Sequence, residues 1–158
     1  MKAWSLIREA LRFCREKANG RASWVISDLR SGDSQVHSVF RYALAGEISR
    51  HLAGHFDEIK AAYLFGSAAK DSAGTMSDLD IIFVTRRKNK NLSHAVEELN
   101  SQVLRGYKKL IGNNASAMNN LLDINIVNEK DVKNKKGYAS LINSIHMPAL
   151  KIQSGGKQ

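Results

Sequence analysis

Apolar residues recur along this chain in two rhythms. Trp4, Ile7, Leu11 and Cys14 stand three or four apart, flanked by Leu6, Ala10 and Phe13, and predict a broadly apolar first helix that stops at Asn19-Gly20. The stretch "RASWVISDLRSGDSQ" that follows is short, ambiguous in period and ends in turn formers. Val36, Phe40, Leu44, Ile48 and Leu52, joined by Val39 and Ala43, predict a second helix, with Asp33 or Ser34 as its N-cap. The rhythm then changes to short dense runs. Tyr63-Leu64-Phe65 and "LDIIFVT" (Leu79–Thr85) read as buried strands. Beyond a basic turn, Ser93 is the expected cap of a third helix whose stripe is Val96, Leu99, Val103, Tyr107 and Leu110, closed by Gly112-Asn113-Asn114. "LLDINIVN" (Leu121–Asn128) sets Leu122, Ile124 and Ile126 against Asp123, Asn125 and Val127, the alternation of a third strand. Tyr138, Leu141, Ile142 and Ile145 suggest a last helix, which must end before Pro148. Tyr107 and Tyr138 are both expected in the core.

Helices and strands that alternate in this way predict an α/β (α+β) fold, a small mixed β-sheet with helices packed on it. Residues 1–34 are set apart as an N-terminal helical extension, 35–152 as the main domain and 153–158 as a disordered tail. At 158 residues the chain can bury a core without disulfides or metals as staples, and its one cysteine, Cys14, has no partner for a bridge. No run approaches the roughly 18 apolar residues of a membrane span. The first residues mix charges into their apolar positions, unlike a secretory leader. The expectation is a cytoplasmic protein without a membrane association.

One stretch departs from bland patterning. "AAYLFGSAAKDSAGTMSDLDIIFV" puts Gly66-Ser67 at the end of one apolar run and Asp78-Leu79-Asp80 at the start of the next. Two aspartates spaced by two on an extended segment turn to the same side. Like charges held that close are costly without a cation between them, and hard oxygen ligands are what Mg²⁺ prefers. Asp123 is the only acidic position in the third strand pattern. If the two strands are neighbours, Asp123 completes a three-carboxylate cluster able to hold two metal ions roughly 4 Å apart and to stabilise both oxygens of a phosphoryl displacement. A helix opening at Ser67-Ala68-Ala69-Lys70 offers free backbone N–H groups to a phosphate, and Gly66 permits its close approach.

This motif set resembles the nucleotidyltransferase superfamily of DNA polymerase beta: Gly-Ser, a spacer of nine or ten residues, Asp-x-Asp, and a third acidic residue on a later strand. Gly66-Ser67, the ten residues Ala68 to Ser77, Asp78-Leu79-Asp80 and Asp123 fill those positions. The spacer and the size are most similar to the minimal nucleotidyltransferases, the MntA-like antitoxins usually partnered with HEPN-domain toxins. The resemblance covers about Val36 to Asn128 and makes residues 35–152 the nucleotidyltransferase domain. It implies transfer of AMP from ATP, with two Mg²⁺ ions, to an acceptor hydroxyl such as a tyrosine of a cognate HEPN toxin. Asp78, Asp80 and Asp123 would be metal-binding and catalytic, and Gly66, Ser67 and Lys70 nucleotide-binding. Family members often carry Arg-Ala-Arg-Gly after the Gly-Ser. Here Ala68-Ala69-Lys70-Asp71 stands in its place, and Lys70 keeps the charge without the bidentate geometry of arginine.

Charge changes the picture less. The formal balance is +9, and the basic residues are spread over Arg8–Lys17, "RRKNK" at Arg86–Lys90, and Lys130–Lys136. Such runs are usually solvated faces, and the expectation is that no aromatic residues interleave these charges as a stacking platform for single strands would need, so nucleic acid is the less favoured partner. His51 and His55 stand at the i, i+4 spacing of a metal pair, but no third ligand is near in sequence, and a solvated or partner-facing pair is the simpler reading. Arg50 to His55 also matches the loose Arg-x4-His pattern of HEPN ribonucleases, on a segment that cannot host that all-helical fold. The rivals to an AMP-transferring antitoxin are a non-catalytic antitoxin that neutralises by docking, a basic nucleic-acid-binding module, and a small-molecule (antibiotic) nucleotidyltransferase, which generally adds a domain for its acceptor.

Overall fold

The computed structural model describes residues 2–18, 22–142 and 149–154. Three helices open the chain: α1 (Lys2–Lys17), α2 (Ala22–Ser31) and α3 (Ser34–His55). Strand β1 (Ile59–Phe65) leads through one 3₁₀ turn (Ser67–Lys70) and a loop to β2 (Leu79–Thr85). Helix α4 (Lys90–Ile111) crosses over to β3 (Leu122–Asn128), followed by a short α5 (Glu129–Lys133), a 3₁₀ turn (Gly137–Leu141) and β4 (Leu150–Ser154). The four strands form one mixed sheet in the order β3-β2-β1-β4, with β1 antiparallel to both β2 and β4, and β2 parallel to β3. The expected α/β class with a small mixed sheet is what the chain adopts. Among the described residues no helix is long and apolar enough to cross a membrane.

The alternation of each strand divides the core in two. Ala62, Leu64, Leu79, Ile81, Phe83 and Leu122 face the helical layer, where they join Phe40, Leu44, Ile48, Leu99, Val103 and Tyr107 in the main cluster. The opposite face carries a smaller cluster, Ala61, Ile82, Val84 and Val127, closed by Ala139 and Ile142. Ile7, Leu11, Cys14 and Leu29 of α1 and α2 are buried in the main cluster, so the first two helices share the core of the sheet domain.

Several expectations are corrected. The ambiguous stretch after α1 is the helix α2, buried through Val25 and Leu29. Helix α4 starts at Lys90, capped by the Asn89 side chain, because Asn89 accepts from the Asn91 amide one turn before Ser93 can act. A last helix over Tyr138–Ile142 is only a 3₁₀ turn, and Ile145 lies outside the described residues. Tyr138 is 46% exposed rather than core. Gln153 and Ser154, expected in a disordered tail, belong to β4, which covers the otherwise open edge of β1. The stop at Asn19-Gly20 lies outside the described residues. Asp33 does cap α3, accepting from the Val36 amide at 2.9 Å.

Candidate active site

Sheet register brings the acidic residues together. Asp80 of β2 pairs with Asp123 of β3 in the parallel ladder and with Phe65 of β1 on its other side. Paired residues of neighbouring strands point to one face, so Asp80 and Asp123 stand side by side on the face away from the helical layer. Asp78 lies one residue before β2, and both it and Asp123 are exposed, whereas Asp80 is half-buried. Burial pushes the Asp80 carboxyl up from 3.8 to about 6, and the charges of Asp123 and Asp78, with a side-chain hydrogen bond to Asp123, push the same way. Among the described residues no lysine or arginine pairs with any of the three.

Gly66 is fixed by this crowding. Its φ of +76° favours glycine, and a Cβ there would overlap an Asp80 carboxylate oxygen and lie 3.2 Å from Asp80 Cγ. The turn between β1 and the loop is thus packed directly on the central carboxylate. The expected helix at Ser67 is a single 3₁₀ turn of four residues, so its backbone dipole is small. Ser67 is half-buried next to Gly66, and its carbonyl accepts the Ser72 amide at 3.0 Å. Its hydroxyl makes no hydrogen bond among the described residues. Lys70 sits at the far end of the turn, exposed, and the structure gives it no contact with the carboxylates.

The donor set fits a hard divalent cation: carboxylate oxygens only, crowded enough to raise one carboxyl, with no protein cation to relieve them. The fit is that of a close pair with an outer member. Among the described residues no three His, Cys, Asp or Glu side chains already form a set that could hold a metal. Asp80 and Asp123 are the pair, and exposed Asp78 can change rotamer at little cost. Asn125 of β3 extends the polar strip, donating to Asp123 Oδ1 at 3.4 Å.

What delivers Asp78 and Asp80 to this place is a residue the sequence reading passed over. Arg41 of α3 is fully buried, and among the described residues no carboxylate neutralises it. Its guanidinium donates to the Ser77 carbonyl at 2.8 and 3.1 Å, to the Thr75 carbonyl at 3.2 Å and to the Tyr107 hydroxyl at 3.1 Å. Tyr107 in turn donates to the Thr75 carbonyl at 2.7 Å, and Ser38 accepts the Ala73 amide at 3.0 Å. Helices α3 and α4 therefore grip the loop immediately before Asp78. His37 completes the grip: it accepts from Arg41 at Nδ1 (2.8 Å), which leaves Nε2–H to donate to the Leu29 carbonyl at 2.7 Å. Burial first, and then the Arg41 charge, hold the His37 pKa below its ordinary value, consistent with a neutral ring. The available signal was position: Arg41, Leu44, Ile48 and Leu52 share one helical stripe, so Arg41 occupies a core site.

The other candidates do not join the carboxylates. The His51 and His55 rings lie 4.7 Å apart, tilted by 52°, near the end of α3, and His55 Nδ1 bonds the His51 carbonyl at 2.8 Å. Burial, then His55 and Lys2, lower the His51 pKa. Arg50 is paired with Glu47. Cys14 is buried, its thiol pushed up to about 12, and offers no nucleophile.

A protein-family model described as "Polymerase beta, Nucleotidyltransferase" matches residues 47–136, a span that holds Gly66, Ser67 and all three aspartates. No curated protein and no solved structure matches the chain.

Proposed function

The chain belongs to the polymerase beta nucleotidyltransferase family, and on that premise we propose that it moves AMP from ATP to an acceptor hydroxyl, using Mg²⁺ held by Asp78, Asp80 and Asp123. The observation that carries this reading is the in-register pair Asp80–Asp123 packed against Gly66. Bound divalent cations would neutralise charge on the phosphates and lower the pKa of the acceptor hydroxyl. The chain's own residues do the rest. Gly66, lacking a side chain, leaves the backbone beside the Asp80 carboxylate open to the triphosphate, and the Ser67 hydroxyl is free to donate to a phosphate oxygen. Lys70 adds a mobile positive charge at the rim.

Asp123 lies on β3, an edge strand, and is exposed, so an incoming acceptor can reach it. It takes the proton of the attacking hydroxyl as the acceptor oxygen bonds to the α-phosphorus. The bond from that phosphorus to the oxygen bridging to the β-phosphate breaks, and pyrophosphate leaves. Positioning and charge neutralisation supply most of the rate. The acceptor we favour is a tyrosine hydroxyl of a HEPN-domain toxin, silenced by AMP. What supports it is the likeness of the Gly-Ser to Asp-x-Asp spacing to that of the minimal antitoxins.

Transfer from α-labelled ATP tests the chemistry. A double Asp80→Asn, Asp123→Asn variant should lose Mg²⁺-dependent label transfer by at least a thousandfold. Transfer at the wild-type rate would end the proposal.

A further inference from the structure

The helical layer on the other side of the sheet gathers cations that are scattered in sequence. Along α1, Trp4, Arg8, Arg12 and Arg15 follow at helical spacing and share one exposed stripe, about 16 Å long. Arg105 and Lys109 of α4 lie beside it, and Arg30 of α2 closes the end, its Nε bonded to the Leu110 carbonyl at 3.0 Å. Two adjoining hollows of about 530 and 560 Å³ share Trp4, Arg8 and Lys109, so the stripe is one continuous groove. Arg12 is paired on the surface with Glu9 (3.7 Å) and Glu16 (3.6 Å). Among the described residues Arg8, Arg15, Arg30, Arg105 and Lys109 have no carboxylate within 4.0 Å.

Trp4 gives the groove its second property. It is 37% exposed although large and apolar. Its ring lies over Gly106 of α4, where an added Cβ would come within 3.4 Å of it and closer still to Ile7 Cδ1. A glycine at this crossing lets α1 and α4 approach and seats the indole, with part of its surface open, in the same hollow as Arg8, Arg105 and Lys109. Clustered cations without carboxylate partners, on either side of the paired Arg12, suit phosphates, and an anchored open aromatic ring suits a base. An acidic protein partner would use the charges but has no need of the ring.

We infer that this groove is a docking site for a single-stranded nucleic acid, its phosphates on Arg8, Arg15, Arg30, Arg105 and Lys109 and one base stacked on Trp4. It stands apart from the chemistry of the carboxylates on the opposite face of the sheet. Five phosphate contacts predict a slope of about −3.5 in log affinity against log salt, a loss of roughly 100-fold between 50 and 200 mM.

The test is fluorescence anisotropy of a fluorescein-labelled single strand of about 12 nucleotides, with the intact chain and no nucleotide added. A triple variant Arg8→Ala, Arg105→Ala, Lys109→Ala should bind at least tenfold more weakly and flatten the salt slope by about 2. Trp4→Ala should cost at least fivefold, and Trp4→Phe should restore most of it. Arg8, Arg105 and Lys109 are exposed, so circular dichroism should show unchanged folding of the triple variant, and Trp4→Phe keeps a ring over Gly106. The control Arg86→Ala, Arg87→Ala, Lys88→Ala, in the loop between β2 and α4, should bind as wild type. The inference is overturned if the groove variant binds as wild type or the loop variant loses as much. It is overturned equally if polyglutamate competes as well as the oligonucleotide at equal charge, or if a duplex binds more tightly.

Discussion

Replacing Asp80 by asparagine should make the resting protein more stable at neutral pH while removing its response to Mg²⁺. Asp80 is half-buried, next to Asp123 in the ladder and two residues from Asp78, and its carboxyl titrates near 6 instead of 3.8. Holding it ionised therefore costs folding free energy, at most about 3 kcal/mol by linkage. Solvent reaches about half of the group, and screening brings the figure down to roughly 1 kcal/mol. Asparagine keeps the shape, removes the charge and can donate to Asp123. For a chain of this size roughly 1 kcal/mol is a rise of about 2–4 °C in Tm. The sign with pH is fixed by the direction of the shift. A carboxyl whose folded pKa is raised stabilises the fold when protonated, fully below about 3.8, and loses that contribution as pH rises through about 6. The advantage of the variant should thus be largest at pH 7.5 and cut to about a third at pH 4.5. The assay is thermal unfolding by circular dichroism in chelator at both pH values, then with 10-fold steps of Mg²⁺. Wild type should gain stability from the cation by mass action, and the variant should gain much less. A variant that melts below wild type at pH 7.5 in chelator, or keeps its full advantage at pH 4.5, would refute the crowding argument.

Two further outcomes test the frame around the carboxylates. Arg41→Met should lower the unfolding free energy by about 2–4 kcal/mol, because the Ser77 carbonyl and His37 Nδ1 lose their donor inside the core. Urea titration reads this directly, and a loss under 1 kcal/mol would mean that Tyr107 and Ser38 hold the loop without it. Gly66→Ala should cost about 1–3 kcal/mol from its positive φ and abolish label transfer by displacing the Asp80 carboxylate. Full activity in that variant would show that the turn does not abut the working carboxylate.

The parts of the fold that were legible are those whose signal is local. The run Leu79–Thr85 is dense in branched residues because β2 is buried on both faces, and its bounds came out as expected. Helices α3 and α4 announced themselves through stripes that the core does bury. Strand β4 was missed although Leu150, Lys151 and Ile152 alternate, because so short a run has no stability until the edge of β1 is there to pair with it. Tyr138 looked like core from its type alone, yet it only meets the Phe65 ring at a tilt, 5.7 Å away, and leaves nearly half its surface open.

The site divides along the same line. Gly66-Ser67 and Asp78-Leu79-Asp80 are contiguous in the chain, and a two-residue period suffices to aim two carboxylates one way, so the sequence alone determined that an acidic, phosphate-compatible turn exists. That Asp123 stands beside Asp80 depended on parallel pairing of β2 with β3, a contact across 43 positions. A buried arginine steadying the loop, and a row of cations meeting at one tryptophan, depended on helices packing at particular faces. Local preference acts over a few residues, whereas proximity across the fold is set by which apolar surfaces find each other. Only the tertiary structure could decide those neighbours.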